Sequence, residues 1–93
     1  MAKSKAIVGT KNASRYLQQL CKHWGHKFTV DFTPKEGHID FGDGRHVDLR
    51  ADEASLVIEV DSPDLPRMQQ VVADHILRFA FREELEFVWL AAD

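Results

Sequence analysis

The residues with the most chemical potential stand together in Leu20-Cys21-Lys22-His23-Trp24-Gly25-His26, which holds the single cysteine and two of the five histidines. A thiolate and imidazoles brought to one point would bind zinc, copper or iron. His75, far along the chain, is the natural fourth donor. The chemistry such a set supports is direct binding of a transition metal, or of haem through a Cys or His ligand.

Spacing sets a limit on that reading. Cys21 belongs to an apolar stripe of Ala13, Tyr16, Leu17, Leu20, Cys21 and Trp24, whereas His23 falls off it, so a regular helix aims the two apart. Convergence requires the helix to unwind at Trp24-Gly25 and His26 to fold back toward Cys21. No paired C-x-x-C or H-x-x-x-H spacing reinforces the set. The alternative is a small buried thiol at Cys21, a hydrogen-bonded core histidine at His75, and exposed His23 and His26. As a nucleophile Cys21 is poorly placed, because Leu17, Leu20 and Trp24 around it raise the thiol pKa. With no Gly-rich phosphate loop and no Ser-centred elbow, the expectation is a protein that is not an enzyme.

Carboxylates form a second constellation. Four short alternating segments (Phe28, Val30, Phe32; Ile39, Phe41; Val47, Leu49, Ala51; Leu56, Ile58, Val60) read as strands with one buried face. A four-residue loop at Pro34–Gly37 pairs Asp31 with Asp40, a three-residue loop at Asp43–Arg45 pairs Asp40 with Asp48, and a four-residue loop at Asp52–Ser55 pairs Asp48 with Glu59. Asp31, Asp40, Asp48 and Glu59 then make one acidic row across the outer face, flanked by Thr33, His38, Arg50 and Val57 above and by Thr29, Gly42, His46 and Asp61 below. Like charges opposite one another are unfavourable, so Arg50, protonated His38 or His46, or a bound hard cation or basic partner should relieve them. The alternative is a solvated polar face, which antiparallel sheets commonly keep.

The elements that would hold these groups follow from periodicity. A helix begins at Ala13 after a candidate N-cap, Asn12, and stops at Gly25. A second begins after Pro63, with Leu65, Met68, Val72, His75, Ile76 and Phe79 as its stripe, and Glu84–Leu90 closes the chain as a strand. The expected fold is α+β: helix, four-stranded antiparallel meander, helix, strand, with both helices on one face of the sheet. Phe87-Val88-Trp89-Leu90 is apolar on both faces, which suggests a strand covered twice or a surface for a partner, a second copy included. Arg15, Lys22, Lys27, Arg78 and Arg82 give the helical side a positive tint.

The 93 residues make one domain, 1–93, in which 1–10 reads as a loosely ordered N-terminal segment. Hydrophobic residues at 44% and charged ones at 29% are ordinary for a globular protein, and no apolar run is long enough to span a membrane. A net charge of −3 gives no global attraction for nucleic acid or anionic lipid. One cysteine and no secretory h-region lead to a cytoplasmic expectation.

Ala13-Ser14-Arg15-Tyr16-Leu17, Leu20 to Lys27, Ile39-Asp40-Phe41 and His75 to Glu84 together resemble the bacterial family called domain of unknown function 2218. The resemblance extends over nearly the whole chain. It implies a small bacterial protein whose relatives are sometimes fused to, or encoded near, siderophore-interacting flavoprotein reductases, and it carries over no catalytic residues. A ferric siderophore or such a reductase is therefore the partner it implies.

Overall fold

In the computed structural model, described for residues 3–80 and 83–91, eight elements follow one another. They are β1 (Lys3–Gly9), α1 (Ala13–Trp24), β2 (Thr29–Phe32), β3 (Glu36–Gly42), β4 (Arg45–Ala51), β5 (Ser55–Asp61), α2 (Leu65–Phe79) and β6 (Trp89–Ala91). The strands make one six-stranded antiparallel sheet in the order β2-β3-β4-β5-β1-β6. The α+β class is as the sequence implies, with two strands more than the meander.

Lys3–Gly9 is not a loose segment but a strand paired along its whole length with β5 and, on its other side, with β6. Its inward residues Ser4, Ala6 and Val8 are small, so a buried strand carries little apolar signal there. The closing strand is also shorter than Glu84–Leu90: only Trp89–Ala91 pairs, with Trp89 opposite Ala6. Phe87 and Trp89 turn toward the core, while Val88 and Leu90 are each 61% exposed.

Both helices lie on one face of the sheet. The α1 stripe is buried as its spacing requires, with Leu17, Leu20 and Cys21 essentially inaccessible. Gly37 of β3 makes this close approach possible: a Cβ there would sit 2.8 Å from Cys21 Sγ and 3.3 Å from Leu17 Cδ2. Gly25 does end α1, although its φ of −61° is that of an ordinary helical residue, and its N–H closes onto Cys21 O. Asn12 occupies the N-cap position without capping; its amide donates instead to Glu83 Oε2 at 3.1 Å. The second helix starts at Leu65, two residues later than Pro63 suggests, with Pro66 in its first turn. No helix among the described residues is long and apolar enough to cross a membrane.

Two loops set the register differently from the loop-length argument. Thr33 Oγ1 accepts the backbone N–H groups of Lys35 (3.2 Å) and Glu36 (3.1 Å), and Thr33 N–H bonds Glu36 O, so the β2–β3 connection is tighter than Pro34–Gly37. Between β3 and β4 the loop is Asp43-Gly44, both at positive φ (57° and 79°), as a type I′ hairpin turn requires. The pairing then shifts between Asp40 and Gly42, a β-bulge at Phe41. Each change moves a partner by two residues.

Candidate functional site: the outer face of the sheet

Those two-residue slips decide the pattern on the face turned away from the helices. One row reads Asp31, His38, Asp48, Glu59 and Lys5, and the next reads Thr29, Asp40, His46, Asp61 and Lys3. The single acidic row of Asp31, Asp40, Asp48 and Glu59 is therefore not formed, because the tight Thr33 turn and the Phe41 bulge put His38 where Asp40 was expected. All four carboxylates nevertheless stay on the outer face. A slip of two, unlike a slip of one, leaves every side chain on its own side of the sheet.

Histidines thus sit among the carboxylates. His38 Nδ1 lies 2.5 Å from Asp48 Oδ1, and His46 Nδ1 lies 3.7 Å from Asp40 Oδ1. The two imidazoles stack with centroids 5.7 Å apart and planes at 26°. Each contact is a charged pair only when the ring is protonated. Asp48 and Glu59 face each other directly, and Arg50 reaches Glu59 Oε1 at 3.4 Å, an exposed pair worth little by itself. His46 Nδ1 and Asp61 Oδ1, on directly opposite residues, are buried atoms without a hydrogen-bond partner among the described residues. A shallow hollow of about 600 Å³ runs past Asp31, His38, Asp48, Arg50 and Glu59, and a smaller one of about 290 Å³ adjoins it beside Lys3, His46 and Asp61. Lys3 and Asp61 join the site through β1 and the β5 end; recognising β1 as a strand was the signal needed to place the lysines.

The soft-donor set falls elsewhere and does not come together. Cys21 faces β3 beneath the sheet, 1% exposed, and burial pushes its thiol up to about 11. His23 points away from it, its ring centroid 5.1 Å from that of His75. The His23 pKa is lowered, first by loss of hydration and then by the charges of His75, His26, Lys27 and Arg78. Arg82, the remaining member of that cationic group, lies outside the described residues. His75 is half-buried beside Trp24, at 4.8 Å between ring centroids, and its Nδ1 lies 2.7 Å from Val71 O. His26 is exposed on the turn after α1. Among the described residues no three His, Cys, Asp or Glu side chains are arranged to hold a metal ion. The helical phase that separated Cys21 from His23 in the sequence is the physical reason.

One polar cluster was not anticipated. Glu83 accepts from Thr10 Oγ1 (2.8 Å), from Asn12 Nδ2 and from the Tyr16 hydroxyl, so the segment after α2 is tied to the β1–α1 junction. Its signal in the sequence is faint. Three partners more than sixty residues away cannot be inferred from local spacing.

A two-layer α+β sandwich with one sheet face sealed by helices and the other left polar defines a class of small open-faced domains. Within that class the chain belongs to the family DUF2218, an uncharacterized protein conserved in bacteria, whose sequence profile matches residues 5–90. The NMR structure of PA4090 from Pseudomonas aeruginosa is similar throughout: 46% identity over 97% of this chain and 96% of that one, with a TM-score of 0.81. No curated protein matches the chain.

Proposed function

We propose that this chain is a non-catalytic binding module whose outer sheet face docks a basic partner surface. One observation carries the reading: Asp31, Asp40, Asp48, Glu59 and Asp61 share that face, against Arg50 and the β1 lysines at one side. Such a field steers an oppositely charged partner and weakens with salt. The hollow is shallow and open, which suits a protein surface better than an enclosed small molecule. The partner class suggested by the family resemblance is a siderophore-interacting flavoprotein reductase, which would place the module in iron metabolism.

Titration of a purified reductase of that class, from the same bacterium, into the wild-type chain and into the D31N/D48N/D61N variant tests both parts. The expected result is an affinity that falls with salt and is at least about tenfold weaker for the variant, equivalent to about 1.4 kcal/mol. An affinity unchanged by salt and by the variant overturns docking through this face; no binding removes the reductase as partner. Direct metal or haem binding through Cys21, His23, His26 or His75 is the competing reading. Stoichiometric metal in untagged protein, lost in both C21S and H75A, would replace the first reading with it.

A further inference from the structure

On the helical side, a cleft of about 390 Å³ opens between the end of α1 and the start of α2. Its volume falls within the range of about 300–1,000 Å³ typical of small-molecule sites. We propose that this cleft binds a small aromatic carboxylate, independently of the outer-face reading.

The apolar part of the lining is aromatic. Trp24 and Phe41 meet edge to face at 4.9 Å, and Phe28 packs on Phe41 at 4.7 Å, with Met68 alongside. Rings of this kind favour a planar aromatic guest through offset or edge contacts. The polar part of the lining is mainly cationic. Trp24 and Ser62 line the cleft at 5% and 1% exposure, and Ser62 Oγ accepts Asp64 N–H at 3.0 Å. Arg45 is fixed by donating Nε–H to Gly42 O (3.2 Å) and Nη2–H to Phe41 O (3.0 Å), which leaves the rest of its guanidinium for a guest. Arg67, exposed on the first turns of α2, adds a second guanidinium beside the positive end of the helix. Asp64 is the single carboxylate in the lining, so the two arginines leave it net positive. Two guanidinium groups and an aromatic lining together select an anion with two acceptor oxygens on a flat ring.

The test is a titration of 2-naphthoate into the isotope-labelled chain, followed at the Trp24 indole N–H and the Arg45 Nε–H resonances. The neutral control is 2-naphthalenemethanol and the cationic one 2-naphthylmethylamine. Naphthoate should move both resonances saturably and bind at least about tenfold more tightly than the alcohol, with the amine weakest. R67Q alters only an exposed side chain, so it should keep the native spectrum and lose most of that advantage. Equal affinity for naphthoate and the alcohol, shifts confined to the outer sheet face, no shift at millimolar ligand, or an R67Q affinity equal to wild type would each overturn the proposal.

Discussion

At Cys21 the thiol is sealed beneath β3 and its pKa is pushed up to about 11 by burial, against an ordinary value of 9.0. An unfolded chain ionises this thiol near the ordinary value while the native chain keeps it neutral. Between those two pH values the unfolded state holds fewer protons, so stability falls as pH rises, by roughly 2–3 kcal/mol across the window. Denaturant melts from pH 8 to 11 should show this slope in wild type and a shallower one in C21A; parallel slopes would show that burial does not hold the proton. Alkylation at pH 8 should likewise proceed only through unfolding, and a fast native reaction would contradict the burial. Gly37 is the partner of this packing. G37A drives a Cβ to 2.8 Å from Cys21 Sγ and should cost about 1–3 kcal/mol. Because removal of the sulfur relieves the closest contact, C21A/G37A should be more stable than the two single losses predict by addition, and strict additivity in that double-mutant cycle would show that the strain lies elsewhere.

Among the elements, the segment from Glu83 to β6 has only three paired residues at the sheet edge, with Leu85, Phe87 and Trp89 packed against the core. The Glu83 carboxylate, accepting from Thr10, Asn12 and Tyr16, adds a polar anchor at the start of that segment. E83A leaves those donors unmatched and should cost about 1–3 kcal/mol. Amide exchange should then accelerate first at Trp89–Ala91 and on the β1 edge that pairs with it, with β3 and β4 little changed; uniform acceleration would mean that the clamp supports the whole fold instead of its C-terminal edge. Nothing local in the sequence marks this clamp, whereas the helices announce themselves: six buried residues of α1 recur at steps of three and four. The β4–β5 register was also readable, because Asp52 Oδ1 accepts the Ala54 and Ser55 N–H groups and closes the loop at the length its sequence suggests. The neighbouring registers were not, since a threonine hydroxyl tightened one loop and a bulge at Phe41 absorbed a residue in the other. Period-two alternation survives even-numbered slips, so the face of every carboxylate was legible while its row was not. The small inward side chains of β1 hid a strand for the opposite reason: their alternation is real but too weakly apolar to see.

On the scale of the whole molecule the sandwich has two unlike sides, a helical layer that buries the apolar core and a bare sheet face that gathers six carboxylates, Glu36 beside Arg50 included. Packing does not require that concentration. Asp31 and Asp48 are exposed, Asp48 stands directly opposite Glu59, and the exposed pairs with His38 and Arg50 return little. If the face is kept for a partner, the free protein carries unrelieved repulsion, and neutralising it should help the fold while harming the complex. The variant D31N/D48N/D61N should therefore melt at or above the wild-type temperature at low salt, with relief of the one directly opposed pair, Asp48 and Glu59, contributing up to about 0.5 kcal/mol. The difference should shrink as salt screens the charges over a few tenths molar. Lys3 and Lys5 on β1 sharpen the comparison, because K3Q/K5Q strips the countercharges from the same rows and should move stability the other way. Thermal melts of the three proteins at two salt concentrations check this. A triple variant less stable than wild type at every salt concentration would mean that the carboxylates hold the sheet together, and the face would lose its claim to be kept for binding.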